Sequence, residues 1–168
     1  IYASIGGCLS SLDSIVVMVN PTPSKPTVTN DTFCQYAITV PLTATGQNLL
    51  WYNSPTSTTG SATAPTPPSN IAGTTTWYVT QTVTGCESAK QPITVLIKPT
   101  PNAPGVVTPV LYCQYNTATP LTATGINLLW YTAATGGTGS SVAPLPNTNV
   151  LGTTTFFVSQ TLNGCESN

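Results

Sequence analysis

Residues 34–52 read CQYAITVPLTATGQNLLWY, and residues 113–131 read CQYNTATPLTATGINLLWY. A second phrase recurs in the same way: NIAGTTTWYVTQTVTGCES at 70–88 returns as NVLGTTTFFVSQTLNGCES at 149–167. Both matches have an offset of 79 residues, and across the ungapped stretch 33 of 55 positions are identical. Self-similarity at a fixed period is typical of a repeat architecture. The chain therefore contains tandem copies of one structural unit.

The first residues of the chain continue this phase. Cys8 aligns with Cys86, one residue away from the 79-residue offset. Proline-rich segments at 20–26 and 98–104 separate the units, and alternating prolines favour stiff, extended linkers. We therefore predict three parts: the C-terminal remnant of a repeat at 1–20, a complete repeat at 24–98, and a repeat lacking its last strand at 102–168.

The composition predicts strands and turns. Threonine is the commonest residue, and 16 prolines and 13 glycines divide the chain into short segments. Threonine, β-branched and aromatic residues favour pleated strands, and no window of a dozen residues has a helical apolar stripe free of proline or glycine. Strand-like segments of the complete repeat lie at 40–46, 48–52, 73–83 and 92–97, and residues 53–72 have room for one or two short edge strands. Six or seven short strands predict an all-β fold, with each repeat a two-sheet sandwich.

The aromatic residues of the repeated strands are predicted to be mainly core residues. Alternation along a strand places Trp51 on the same face as Leu49 and opposite to Tyr52. We predict that Trp51 and its equivalent Trp130 are buried. Trp77 is replaced by phenylalanine in the next copy, which favours a packing role over a sugar-stacking role.

The low charge excludes several classes of function. Three lysines and four acidic residues give a net charge of −1, so no cationic stripe exists to displace phosphate counterions or to bind anionic lipid. The longest purely aliphatic run, residues 15–19, is far below the ~20 residues needed to cross a bilayer. We therefore predict no nucleic-acid partner and no direct membrane insertion.

The cysteines predict covalent bridges. Cys34 and Cys86 are 52 residues apart, as are Cys113 and Cys165. A pair that recurs once per unit, with Cys8 left unpaired because its unit is cut, predicts one disulfide within each repeat: Cys34 with Cys86, and Cys113 with Cys165. We expect the bridge at one end of the sandwich, where it would stabilise a small domain by roughly 4 kcal/mol. Disulfides also indicate an oxidising, extracellular compartment.

The repeated Cys-Glu-Ser of residues 86–88 offers a thiol, a carboxylate and a hydroxyl in a row. The chain has no His and no Arg to activate a thiolate, and no CxxC, histidine or D-x-D-x-D pattern for zinc or calcium. Glu87 and Glu166 recur with the repeat, whereas the carboxylates of a glycosidase are expected once. We predict that the protein is not an enzyme, with no catalytic residue, no cofactor and no metal.

These phrases also resemble a known family. YCQ, PLTATG, NLLWY and GTTTFFVSQTLNGCES, followed in the complete repeat by ITVLI, closely resemble the Ig-like repeats of very large surface proteins from Bacteroidota. Such repeats are associated with the gliding-type C-terminal sorting domain of type nine secretion. The resemblance covers nearly all of the chain. It implies tandem immunoglobulin-like sandwiches, export to the cell surface, and a repetitive stalk or adhesin, with gliding motility as one such role.

The same resemblance indicates partners and one modification. The expected partners are neighbouring repeats of the same chain, and surface polysaccharide or outer-membrane machinery. No catalytic residue carries over. Asp13-Ser14-Ile15 is similar to the Asp-Ser/Thr-aliphatic signal for O-glycosylation in these bacteria, which makes Ser14 a candidate acceptor.

Two other functions are left open by the residues. Exposed, coplanar aromatics at Tyr52, Trp77 and Tyr78 would indicate a carbohydrate-binding module or a spacer of a polysaccharide-degrading enzyme. Alternatively, a repeat that lacks its last strand could accept a segment such as SIVVMV, residues 14–19, from another chain.

We favour a covalent array over strand exchange, because Cys8 assigns the SIVVMV segment to an upstream repeat. Ile1 reads as the middle of a strand, and Asn168 falls one strand short of a finished sandwich. We therefore expect the sequence to be a window from a longer repetitive rod.

Overall fold

The computed structural model describes residues 3–9, 11 and 13–168, and within these residues the chain forms strands and no helix, so none that could cross a membrane. Ile1, expected to lie within a strand, falls outside the described residues. The strands are Ser4–Ile5 (β1), Cys8–Leu9 (β2), Thr27–Val28 (β3), Asp31–Cys34 (β4), Ala44–Thr45 (β5), Leu50–Tyr52 (β6), Gly73–Thr80 (β7), Thr82–Val83 (β8), Cys86–Glu87 (β9), Gln91–Lys98 (β10), Gly105–Val106 (β11), Ala123–Thr124 (β12), Leu128–Tyr131 (β13), Phe157–Leu162 (β14) and Cys165–Glu166 (β15).

The complete repeat is built on a four-stranded sheet in the order β4-β10-β7-β6. β10 is antiparallel to β7, with Ile93 opposite Trp77, and β6 is antiparallel to the other side of β7. On its other edge β10 runs parallel to β4, with Lys98 opposite Cys34. Both β4 and β10 therefore finish at the end of the sheet from which the linker leaves.

Alternation along β10 divides its side chains between two environments. Ile93, Val95 and Ile97 are buried, whereas Leu96 is 38% exposed. This is the period-two pattern of a strand with one face against a core. The core cluster comprises Leu42, Trp51, Val79, Ile93, Val95 and Ile97.

The opposite face of that core is covered by a second layer. β3 pairs with β5, and Val28 and Ala44 from this pair pack against the buried cluster. The two layers form the all-β, immunoglobulin-like sandwich that the sequence predicted. The predicted strand segments correspond to β5, β6, β7 with β8, and β10, although the first is reduced to two residues. Between residues 53 and 72 the only strand-like pairing is a bridge from Ser61 to Trp51.

The second repeat reproduces this frame with fewer paired residues. β13, β14 and β15 form an antiparallel sheet, and β11 pairs with β12. Trp130 is buried and bridges to Ser140, as Trp51 bridges to Ser61. Both tryptophans are therefore core residues, as predicted. No described strand takes the place of β10, and an open groove lined by residues 106–114 and 150–156 lies at that position.

The N-terminal segment is only partly structured. β1 and β2 form a short hairpin, and residues 13–19 have no strand pairing. Ile15, Val17 and Val19, which align with the buried side chains of β10, are about four-fifths exposed or more. The groove and this exposed run are the two elements that strand exchange would need, and that exchange stays a prediction.

Ile93 and Leu96 provide a matched test of the sandwich core. Truncating Ile93 removes a side chain with no solvent exposure and leaves a cavity between the layers. We expect Ile93→Ala to lower the free energy of unfolding by about 3 kcal/mol, measured by urea unfolding with tryptophan fluorescence. Leu96→Ala, on the outward face of the same strand, should cost less than about 1 kcal/mol. Equal losses at the two positions would contradict the assigned faces of β10.

Candidate functional site at the junction between repeats

A tight hairpin presents one cysteine of each repeat. β8 and β9 are joined by Thr84 and Gly85, which have φ of 49° and 80°. Asn163 and Gly164 join the equivalent strands with φ of 53° and 82°. A two-residue loop with two positive φ angles is the type I′ turn that matches strand twist. It places Cys86 and Cys165 immediately after the turn, at the tip of their hairpins.

The structure contains a disulfide between Cys34 and Cys165, with their Cα atoms 5.6 Å apart. Cys86 and Cys113 are free, as is Cys8. The predicted pairs, Cys34 with Cys86 and Cys113 with Cys165, are therefore wrong in this structure. The bridge joins the complete repeat to the next one instead of closing either repeat on itself.

The register of the sheet gives the physical reason for this correction. Cys34 lies beside Lys98 at the end of β10, whereas β7 passes Val79 opposite Gln91 at the start of β10 and then enters the hairpin that carries Cys86. The two cysteines are thus separated by the length of an eight-residue strand, about 25 Å at the usual rise. Cysteines can bond only when their Cα atoms are within about 7 Å.

Hydrogen bonds support the same junction. Lys98 Nζ donates to the carbonyl oxygen of Asn163 at 2.8 Å, and Cys34 Sγ lies 3.6 Å from the carbonyl oxygen of Gly164. Gln160 Nε2 donates to the carbonyl oxygen of Asn102 in the linker at 2.8 Å. The hairpin tip of the second repeat is therefore fastened both to the end of the first sheet and to the linker.

The linker before the complete repeat makes equivalent contacts. Gln81, the counterpart of Gln160, donates from Nε2 to the carbonyl oxygen of Ser24 at 2.8 Å. Asn20, the counterpart of Lys98, donates from Nδ2 to the carbonyl oxygen of Thr84 at 3.1 Å. The sulfur of Cys86 lies 3.9 Å from the carbonyl oxygen of Asn20. The same junction geometry therefore occurs twice, with a disulfide at the second occurrence.

The acidic residue of the Cys-Glu-Ser motif anchors the hairpin to its own sheet. Glu87 Oε1 accepts hydrogen bonds from the Tyr52 hydroxyl at 2.5 Å and from Thr80 Oγ1 at 2.6 Å. The second repeat has the same arrangement, formed by Glu166, Tyr131 and Ser159. Thr80 and Ser159 differ in side chain but both supply a hydroxyl, which is the group that this contact requires.

These hydrogen bonds shift the pKa values of the groups involved. Donation by Thr80, followed by donation from Tyr52, lowers the pKa of Glu87 below its ordinary value. The pKa of Glu166 is lowered in the same way, with Ser159 as the main cause. Burial, together with the bond to Glu87, raises the pKa of Tyr52. The carboxylate form is therefore the one that fits each cluster.

The ring of Tyr52 lies under a cover formed by the loop at 54–60. Lys90 Nζ is 4.1 Å from the centroid of this ring and donates to backbone carbonyls of the loop, among them that of Pro55 at 3.0 Å. A Cβ atom on Gly60 would come within 2.7 Å of the ring, so this position needs glycine. Tyr52 is 5% exposed as a result.

The serine of the motif completes the hairpin. The backbone of Ser88 donates to the carbonyl oxygen of Gln81 at 2.9 Å, and its hydroxyl accepts from the backbone N–H of Gln81 at 3.1 Å. Ser167 and Gln160 repeat both bonds. Each residue of Cys-Glu-Ser thus has a structural partner, and no base or cation lies beside the thiol to make it a nucleophile.

The remaining predicted positions are dispersed. Tyr52 is buried and Trp77 packs against the core, so these residues do not form the exposed aromatic row that sugar stacking would need. Ser14 is exposed outside any strand, and Asp13 Oδ1 accepts a hydrogen bond from its backbone N–H. Its glycosylation stays a prediction. Sequence reasoning missed the junction roles of Gln81 and Tyr52, although both recur unchanged at the equivalent positions of the second repeat.

Comparison with known families gives one finding. Residues 23–99 and 101–168 each match the family model described as Ig-like domain CHU_C associated. These two matches cover most of the chain, and they coincide with the two repeats. Among curated proteins, none matches the sequence significantly.

A single proteolytic cut tests the pairing. Lys90 precedes Gln91, whereas Lys25 and Lys98 precede proline, so trypsin should cut the unfolded, alkylated chain after Lys90 alone. Because Cys34 and Cys165 lie on opposite sides of the cut, we expect the two fragments to migrate together on a non-reducing gel and to separate after reduction. Pairing within each repeat would release two separate fragments before reduction.

The lowered pKa of Glu87 predicts an acid-dependent loss of stability. The unfolded carboxyl has a pKa of about 4.3, so the stabilisation is present above that pH and is lost as pH falls through the lower folded pKa. Urea unfolding between pH 7 and pH 3 should show a shallower acid loss in Glu87→Gln. Thr80→Val, which removes the main donor but keeps the carboxylate, should also reduce the slope. Unchanged slopes in both variants would contradict this role.

Proposed function

The chain belongs to the family of CHU_C-associated Ig-like domains, and on that premise we propose that it is a non-catalytic stalk segment of a secreted bacterial cell-surface adhesin. Family membership and the tandem organisation make it a surface-protein repeat module. The stalk role goes further, and the observation that carries it is the disulfide between consecutive repeats.

A bridge between repeats changes how the chain carries load. Force applied at the two ends enters before Cys34, crosses the disulfide to Cys165 and leaves near the C-terminus. The 131 residues of sequence separation between these cysteines lie outside that covalent path. Both sandwiches are therefore protected from being pulled out to full length, which is the property that a spacer under tension needs.

The surface of the repeats fits a spacer. Only seven charged side chains are present in 168 residues, so the shaft has little charge with which to attract ions or other macromolecules. The large aromatic side chains of the repeated strand, Trp51 and Tyr52, are buried. This counts against the rival function as a carbohydrate-binding module, and it leaves ligand binding to another part of the adhesin.

The disulfide also supports an extracellular location. Such bonds form and persist in oxidising compartments and on cell surfaces. We propose export by type nine secretion and a position on the outer surface, where the rod would hold a binding tip away from the cell. A role in gliding motility is one form of this proposal, with surface polysaccharide or the outer-membrane machinery as partners.

Single-molecule pulling tests the stalk function. We expect the oxidised chain, held by its two ends, to resist extension beyond the residues outside the bridge. Adding a reductant should release the sequestered 131 residues, a gain of about 450 Å in contour length. Cys34→Ser should show the full length without reductant, and Cys86→Ser should behave as the unaltered chain. An oxidised chain that already extends to full length would contradict the proposal.

A further inference from the structure

Cys86 and Cys113 are the repeat equivalents of the two bonded cysteines. Cys113 aligns with Cys34, and Cys86 aligns with Cys165. In the structure the first pair of equivalents is free and the second role of each is filled. Each repeat therefore carries one cysteine at either end of its sheet, and within this chain only the inner two are bonded.

The surroundings of Cys86 already match those of Cys165. Cys165 lies where β10 of the preceding repeat ends, because its partner Cys34 is the neighbour of Lys98 in the parallel register. Asn20 is the counterpart of Lys98 in the phase of the N-terminal segment, and Cys86 lies 3.9 Å from its carbonyl oxygen. The cysteine of a preceding repeat, placed beside Asn20 as Cys34 is placed beside Lys98, would be at the Cys86 thiol.

The linker contacts support the same placement. Gln81 binds the carbonyl of Ser24 as Gln160 binds that of Asn102, with equal distances of 2.8 Å. The hairpin of the complete repeat is thus already docked on the linker that precedes it. What it lacks is the sheet end that would carry a bonding partner.

We propose that Cys86 is the attachment site for the CQY cysteine of a preceding repeat, and Cys113 the donor to the GCES cysteine of a following repeat. Disulfides then interleave along the array, with each repeat bonded to both neighbours and never to itself. This inference rests on the proposed stalk and adds its mode of cross-linking. An array joined in this way would be far less extensible than one with bridges inside its repeats.

The chemistry is an ordinary thiol oxidation. Two thiols lose two protons and two electrons and form one S–S bond, while the disulfide of a thiol–disulfide oxidoreductase, or oxidised glutathione in the test tube, takes them up and becomes two thiols. The half-buried Cys86 and the exposed Cys113 are both reachable for this exchange.

A three-repeat variant tests the inference. In a Cys8→Ser background, a second copy of residues 26–103 is inserted after Ala103, which preserves the phase of the repeats. Trypsin then yields three fragments, because each copy of Lys90 is followed by Gln91. After refolding with reduced and oxidised glutathione, the interleaved pairing predicts that all three fragments stay joined without reductant.

Matched serine variants identify the bonds. Cys86→Ser in the inserted copy should release the first fragment and leave the other two joined, because the first Cys34 loses its partner. Cys86→Ser in the first copy should release nothing. Circular dichroism of both variants confirms that the sandwiches are folded.

Two outcomes would overturn the inference: release of the first fragment from the unaltered three-repeat protein, or a first fragment that stays joined after Cys86→Ser in the inserted copy. Neither outcome bears on the stalk itself, which is tested by pulling on the original chain. Separate fragments together with load resistance in the original chain would reject the interleaved array and retain the stalk.

Discussion

The parallel pairing of β4 with β10 is the constraint on which the junction depends. It places Cys34 beside Lys98, at the end of the sheet where the chain leaves for the next repeat. The hairpin with Cys86 extends from the opposite end, where β7 passes into β10. A bond within the repeat would have to cross the length of a strand. A bond to the next repeat needs only that the following hairpin fold back on the linker.

That hairpin is held in position by polar contacts with its own sheet. The carboxylate of Glu87 is bound by the hydroxyls of Tyr52 and Thr80, and Ser88 closes the strand pair with Gln81. These bonds fix the direction in which the tip points, and Gln81 then attaches the tip to the linker. The Cys-Glu-Ser motif is therefore a docking element whose three side chains act on three different surfaces: the neighbouring repeat, the sheet and the strand partner.

Much of the sandwich follows from local sequence pattern. The alternation of ITVLI predicts a strand with one buried face, and the structure buries Ile93, Val95 and Ile97. Trp51 is buried for the same reason. Pairing between distant segments does not follow in this way: nothing in the residues of β4 indicates a parallel neighbour some 60 residues later. The burial of Tyr52 depends on the loop at 54–60 and on the space left by Gly60, neither of which has a strand pattern.

The cysteine pairing shows the same limit. A separation of 52 residues, repeated once, fits a bond within each repeat, and it fits equally well a bond from one repeat to the next. Spacing alone cannot distinguish these, because both arrangements are periodic. The ends of the strands distinguish them: Cys34 finishes β4, and Cys86 opens β9 beyond the far end of the sheet.

The connection between repeats, and with it the mechanical role of the chain, can be tested by counting free thiols. The unreduced protein is unfolded in denaturant at acidic pH, to prevent exchange, and is then titrated with a thiol reagent that reacts under those conditions. Five cysteines are present, and one bridge between repeats leaves Cys8, Cys86 and Cys113 free. The structure therefore predicts three free thiols per chain, with Cys34 and Cys165 protected. A count of one, with Cys8 alone reactive, would mean that each repeat is closed on itself and would contradict the account.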